Sequence, residues 1–303
     1  MKGRAYIALL LLASLSVAGQ SGLNRFLTPS DSLHKPRRAG VLIAEGALAA
    51  GALFALHQSW YSDYKQTDFH TVNDNADWLQ MDKAGHVFSS YHLGRLGKEA
   101  LAWSGASRSQ QLIYGPGAGF LFLTAVEIMD GYSSGWGFSG GDVAANFSGT
   151  AFYVGQELLW KEQRIVPKFS FHTTEYASAR PNVLGQNLPE QILKDYNGQT
   201  YWLSANVHSF FKGTTIPKWL NVAVGYGGEG MLTGQDVLVN TVFLPESGRV
   251  RQFYFSLDAD LTKIETKSHV LKTLFSVFNT VKIPAPTVEF RNDGIVKFRY
   301  LYF

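Results

Sequence analysis

Asp82-Lys83-Ala84-Gly85-His86 (D-K-A-G-H) opens the stretch that decides how this chain is read, which runs on to Gly149. An apolar run follows and ends in E-I-M-D-G-Y, Glu127 to Tyr132. A glycine-rich turn, G-W-G-F-S-G-G, then leads into D-V-A-A-N-F-S-G, Asp142 to Gly149. Polar pairs sit at helical spacing in three otherwise apolar segments. Asp82 and His86 are four apart, Glu127 and Asp130 three, Asp142 and Asn146 four. Each pair shares one face of a helix. Burying ionisable groups is costly unless they are paired, hydrogen-bonded or metal-bound, so the pairs are expected to meet one another or to face a common cleft.

Each residue also has a purely structural use. Asp82 fits an N-cap, its carboxylate accepting the free backbone N–H groups of a first turn. Ser139-x-x-Asp142 matches a capping box. His86 fits a hydrogen-bonded core histidine. Together, Asp82, His86, Glu127, Asp130 and Asp142 are side chains that divalent-metal sites use, or that form a general acid–base pair. Their spacing is not that of H-E-x-x-H, so the cofactor is left unknown, with a divalent metal as one option. The chain shows no nucleophile elbow, phosphate-binding loop or dinucleotide fingerprint. Gly135-Trp136-Gly137 follows a helix rather than a strand.

Helices are expected from Gly40 to Leu56, Asp82 to about Trp103, Gln110 to Asp130 and Gly140 to about Lys161. In the first, small residues recur four apart (Gly40 and Ala44, Gly51 and Ala55), which permits close helix approach. Pro116 is placed near the start of the third, where proline is tolerated. Upstream, Lys2 and Arg4, the apolar Ala5 to Leu12 and Ser16-Val17-Ala18 have the layout of a secretory signal peptide over residues 1–20. Residues 21–38 read as an exposed lead-in. The chain has no cysteine, which excludes thiol chemistry, disulfides and acylation of the bacterial lipoprotein type. Its formal charge is +3, and loss of the leader with Lys2 and Arg4 leaves +1. That excludes the strongly basic surface a nucleic-acid partner needs.

Composition shifts near residue 165 from Ala, Gly and Leu to Val, Thr, Phe, Tyr and Lys. Alternation with a period of two follows. Tyr201, Leu203, Ala205 and Val207 oppose Trp202, Ser204, Asn206 and His208, and Leu220 to Tyr226 repeats the pattern. Phe253, Phe255, Leu257, Ala259 and Leu261 oppose Tyr254, Ser256, Asp258, Asp260 and Thr262. Such alternation means strands with one apolar face. Ile165 to Phe171 is a short strand interrupted by Pro167. Residues 269–281 read as an amphipathic helix, Pro284-Ala285-Pro286 breaks the strand pattern, and Asn292-Asp293-Gly294 turns into a final strand from Ile295 to Phe303. The fold class is α+β: a bundle of about four apolar helices over residues 39–163, then an antiparallel β region over 164–303, as a partial sheet or a small barrel-like one. Five to seven strands fall short of the roughly eight at which membrane barrels close.

The order D-K-x-x-H, an acidic residue on an apolar helix, then S-x-x-D-x-x-x-N-x-x-G is similar to the pattern of VanZ-like membrane proteins. D-K-A-G-H, E-I-M-D-G-Y and F-S-G-G-D-V-A-A-N more closely resemble the YfiM-like family of predicted periplasmic lipoproteins, a domain of unknown function, over about residues 40–160. The resemblance marks Asp82, Lys83, His86, Glu127, Asp130, Asp142 and Asn146 and implies no activity. The expectation is an exported envelope protein, in the outer membrane or periplasm of a Gram-negative-type bacterium, with membrane lipid or another envelope component as partner. Two functions are open: a structural or lipid- or glycan-binding role, or hydrolysis or transfer on an envelope lipid or cell-wall precursor. In the second, His86 is the acid–base group and Asp82, Glu127 and Asp142 are its partners or metal ligands.

Overall fold

The computed structural model describes residues 22–62, 64–213, 215–235 and 248–303. The leader expected at residues 1–20 lies outside them. Helices α1 (Lys35–Leu56), α2 (Met81–Trp103), α3 (Arg108–Gly131) and α4 (Gly140–Leu159) make up the first part. Strands β1 (Thr71–Val72) and β2 (Phe138–Ser139) pair in parallel between them. Strands β3 (Ile165–Phe171), β4 (Gln199–Asn206), β5 (Leu220–Glu229), β6 (Val250–Ala259), β7 (Ala285–Arg291) and β8 (Val296–Tyr302) form an antiparallel meander in chain order. Helix α5 (His269–Phe278) lies between β6 and β7.

Helices α2, α3 and α4 pack through glycines. A Cβ on Gly97 would lie 2.9 Å from the Gly115 Cα, and one on Gly119 would lie 2.8 Å from the Leu93 Cβ. A Cβ on Gly115 would collide with the backbone of Gly97 and Lys98, and one on Gly149 with Val87 O and Ser90 Oγ. Pro116 sits inside α3 rather than in its first turn, because Ser107 caps the helix nine residues earlier. Its ring fills the space above Gly94, whose Cβ would lie 3.3 Å from the proline Cβ. The close approach that the small-residue stripe of α1 permits is not used within the described residues. Among the described residues nothing lies within 4 Å of a Cβ on Gly40 or Gly51. Instead α1 is held near its start, where Val41 packs on Leu101 and Ala106 and the Arg37 guanidinium stacks on Trp103.

The sheet is curled and open: among the described residues β8 does not pair with β3. The outer edge of β3 is covered by the segment after α5, where Phe169 N donates to Thr280 O (2.9 Å) and Lys282 N to Phe169 O (3.0 Å). Pro167 is tolerated because β3 is an edge strand, and its free carbonyl accepts from His92 Nε2 at 2.8 Å. Three details depart from the sequence reading. Val207 and His208 fall in a helical turn, Val207–Phe210. Leu261 and Thr262 lie in a short 3-10 turn beyond β6. Residues 285–286 begin β7 instead of interrupting the strands, with the irregularity absorbed by a register shift between Ala285 and Thr287.

The alternation resolves in an unusual direction. The inner face of the sheet is polar: Lys168, Ser204, Asn221, Ser256, Asp258 and Glu289 are all buried. The outer face is apolar, with Phe253, Phe255, Leu257, Phe298 and Leu301 between 46% and 70% exposed. The inner polar groups satisfy one another, as burial demands. Asp258 takes Lys168 Nζ at 2.8 Å, Ser204 Oγ at 2.6 Å and the Ile283 N–H at 3.0 Å. Lys282 donates to Leu257 O and Ile283 O at 2.7 and 2.6 Å and faces Asp258 at 3.8 Å.

Two measurements check these contacts. Gly115→Ala should lower stability by about 1–3 kcal/mol, whereas Gly117→Ala, which meets nothing within 4 Å, should be neutral or slightly stabilising. Thermal unfolding, followed by near-UV circular dichroism, reads the difference. By the same assay Asp258→Ala should cost about 3–5 kcal/mol, because it leaves two ammonium groups buried without a carboxylate.

Candidate functional site

Four segments bring their polar residues to one place. The connector after β1 supplies Asp74, the first two turns of α2 supply Asp82, Lys83 and His86, α3 supplies Glu127, and α4 supplies Asp142 and Asn146. Gly85 lets α2 sit close to the sheet, since a Cβ there would lie 2.9 Å from Tyr201 Oη. Asp82 is not the N-cap. That place is taken by Gln80, whose side chain makes no capping bond. The Asp82 carboxylate turns inward to accept from Tyr196 Oη at 2.7 Å. Ser139 does cap α4, receiving the Asp142 N–H at 3.1 Å and donating to Asp74 Oδ1 at 2.6 Å. The Asp142 carboxylate is free for the site.

Lys83 Nζ lies 2.7 Å from Asp74 Oδ1, 2.8 Å from Asp142 Oδ1 and 3.3 Å from Asp82 Oδ2. His86 Nδ1 lies 3.0 Å from Asn146 Oδ1, an acceptor, so the ring carries its proton there. Its Nε2 then faces three carboxylates: Asp142 Oδ1 at 3.6 Å, Glu127 Oε1 at 3.7 Å and Asp82 Oδ1 at 3.8 Å. These separations exceed hydrogen-bond length. Glu127 is 1% exposed, and its Oε1 has no hydrogen-bond partner.

The electrostatics follow from this crowding. Burial works against the Asp74 carboxylate, but the bonds from Lys83 and Ser139 hold it below its usual range. Burial also opposes charge on Lys83, yet Asp142 and Asp74 raise its pKa above the ordinary lysine value. Burial likewise opposes the His86 imidazolium, and the Asp82, Asp142 and Glu127 carboxylates outweigh it, so His86 is raised. A ring base among carboxylates has the parts of an acid–base centre.

The sequence reading placed Asp82, Lys83, His86, Glu127, Asp142 and Asn146 together, and the structure brings them together. Asp130, one turn beyond Glu127, bonds instead to Tyr61 Oη at 2.7 Å. Asp74 and Tyr196 were not anticipated. Asp74 lies in a polar connector and Tyr196 in a loop 114 residues beyond Asp82, so neither carries a periodic signal. His92, not His86, is the hydrogen-bonded core histidine: Pro167 O and Arg95 Nε occupy its two nitrogens at 2.8 and 3.2 Å.

No curated protein and no solved structure matches this chain. Residues 71–156, which hold Asp74 and every site residue on α2, α3 and α4 and none of the six-stranded sheet, match the family described as predicted periplasmic lipoprotein (DUF2279).

Proposed function

We propose that this protein is seated in the outer membrane of a Gram-negative-type envelope, with a structural or lipid- or glycan-binding role there. The observation that carries this reading is the inverted polarity of the surface. In water, a sheet with one exposed face turns its polar side chains outward. Here polar residues line the inner face and phenylalanine, leucine and tyrosine the outer one, as in sheets that face lipid. The helices repeat the pattern. Ile43, Leu48, Phe54, Ile113 and Leu121 are each more than 60% exposed, while Ser90, Asn146 and Glu127 are buried. Helices α1 and α3 are long and apolar enough to cross a membrane. On α5, Leu271, Leu274 and Phe278 present an apolar stripe suited to a membrane surface. The match to a predicted periplasmic lipoprotein family is consistent with an exported location.

A second reading rests on a separate observation, the convergence of three carboxylates on His86. Strongly perturbed titratable groups held together concentrate at functional sites. In that reading the centre is a hydrolase or transferase site for an envelope lipid or cell-wall precursor. His86 moves the proton, Asn146 fixes its tautomer, and Asp82, Glu127 and Asp142 stabilise the charge that forms.

Fractionation tests the first reading. The native protein should stay with the membrane pellet through carbonate extraction and be released by detergent, and release by carbonate alone would sink it. A charge on the outer face sharpens the test. Phe255→Lys should cost about 2–4 kcal/mol in lipid vesicles, against about 0.5 kcal/mol or less for an ordinary water-facing site. For the second reading, His86→Ala at equal protein level should reproduce the envelope defect of a deletion strain. Wild-type envelope permeability in that variant would count against a working histidine.

A further inference from the structure

We propose that Asp82, His86 and Asp142 bind one divalent transition-metal ion of the zinc or manganese class, with Glu127 beside the ion's open coordination position. This deepens the second reading of the centre and rests on it. The three residues offer His86 Nε2 and one carboxylate oxygen each, all within 4.8 Å of one another. Two of the nitrogen–oxygen separations are 3.6 and 3.8 Å. That is too far for hydrogen bonds and close to the roughly 3.3 Å that separates two ligand atoms about 2.0–2.1 Å from a tetrahedral ion. A shift of a few tenths of an ångström brings both carboxylates into range.

The tautomer agrees. Asn146 Oδ1, 3.0 Å from His86 Nδ1, holds the proton on that nitrogen and leaves the Nε2 lone pair directed at the carboxylates. A lone pair facing three carboxyl groups needs either a proton or a cation between them, and an ion seated there meets all three at once. A metal-ligating histidine is commonly fixed in this way through its other nitrogen.

Glu127 supplies the independent observation. Its side chain is 98% buried, and Oε1 points at His86 Nε2 from 3.7 Å with no hydrogen-bond partner. A buried carboxylate oxygen left unpaired is costly. Charge points the same way. Asp74, Asp82 and Asp142 share a single ammonium, Lys83, and Glu127 faces His86 instead. Lys83 Nζ lies against Asp74, Asp82 Oδ2 and Asp142 Oδ1, and Tyr196 donates to Asp82 Oδ1, so each of the two ligand oxygens has one partner already and faces the histidine with its remaining acceptor capacity. One imidazole with two carboxylates suits zinc or manganese, whereas calcium takes six to eight oxygens. Three protein ligands and an open position are the pattern of a catalytic rather than a structural ion.

The test uses the full chain purified in detergent, stripped with a chelator and titrated with Zn2+, Mn2+ and Ca2+ by calorimetry, with metal content measured on protein that was never stripped. The expected result is one Zn2+ or Mn2+ per chain, with Ca2+ at least tenfold weaker. Asp142→Asn and His86→Gln should each weaken binding at least tenfold, and Asp130→Asn, outside the ligand set, should stay within threefold. Thermal unfolding of each variant confirms that it is folded. If a variant is not, the stripped wild type decides: no saturable binding overturns the proposal, as does equal binding of Ca2+. Binding unchanged in both folded ligand variants overturns it too. The readout needs neither a substrate nor a bilayer. Failure here therefore leaves the acid–base reading to be judged by the His86→Ala envelope assay, and the membrane reading by fractionation.

Discussion

Lys83 is the fixed point of the molecule. Its ammonium lies within 3.3 Å of carboxylates from the connector, from its own helix and from α4. Those contacts set where Asp142 and Asp82 stand, and therefore what His86 faces. A half-buried cation among three anions is a stringent constraint, because losing any one leaves the others short of a partner in a medium that screens poorly. The Ser139 cap extends the arrangement. Its hydroxyl receives the α4 N-terminus and donates to Asp74, so the start of α4 and the connector are fixed by one oxygen.

The sheet holds the other side of the same point. Trp78, Leu79 and Gln80 enter α2 with φ of 49, 52 and 64°, left-handed values that L-residues avoid. Each costs about 1–2 kcal/mol without compensation. Compensation comes from the sheet and its loops. Gly234 O takes the Trp78 N–H at 2.7 Å, and Arg251 Nη1 and the Tyr226 hydroxyl both bond Leu79 O. Met81, the next residue, is wholly buried. Strain immediately before a charged centre is what pre-organisation looks like in a backbone. The six strands are therefore part of how Asp82 and Lys83 are aimed.

Much of this was legible in the chain, and the reasons differ by element. The polar pairs on α2 and α4 were readable because four-residue spacing puts two side chains on one face whatever the partner. Asp130 shows the limit of that rule. Spacing puts it on the Glu127 face, but Tyr61, on a segment with no periodicity, captures it. The strands were readable from alternation, yet alternation is symmetric and does not say which face is inside. Only the satisfied network around Asp258 fixes that. The left-handed turn at 78–80 had no signal at all, because none of its residues is glycine. Pro116 misled for a related reason: proline is common near helix starts, but here the capping serine is far upstream and a glycine opposite accommodates the ring.

On the membrane reading proposed above, the outward greasy face and the inward charged centre have one cause. Where the surroundings are as apolar as the side chains, burying leucine against leucine gives helices little reason to associate, and close backbone approach and polar contacts must do so. Gly97 against Gly115 and Gly149 against Ser90 provide the first. The Lys83 and His86 contacts across α2, α3 and α4 provide the second. The side chains that would do chemistry are therefore also those that hold the helices together. This explains why most of them are paired, and it sets apart Glu127 Oε1, a buried carboxylate oxygen with neither a hydrogen bond nor a lysine beside it among the described residues. Gluing the helices accounts for Lys83, Asp74, Asn146 and the Asp142 carboxylate. It does not account for Glu127 Oε1, which a helix interface in lipid would satisfy or replace with leucine.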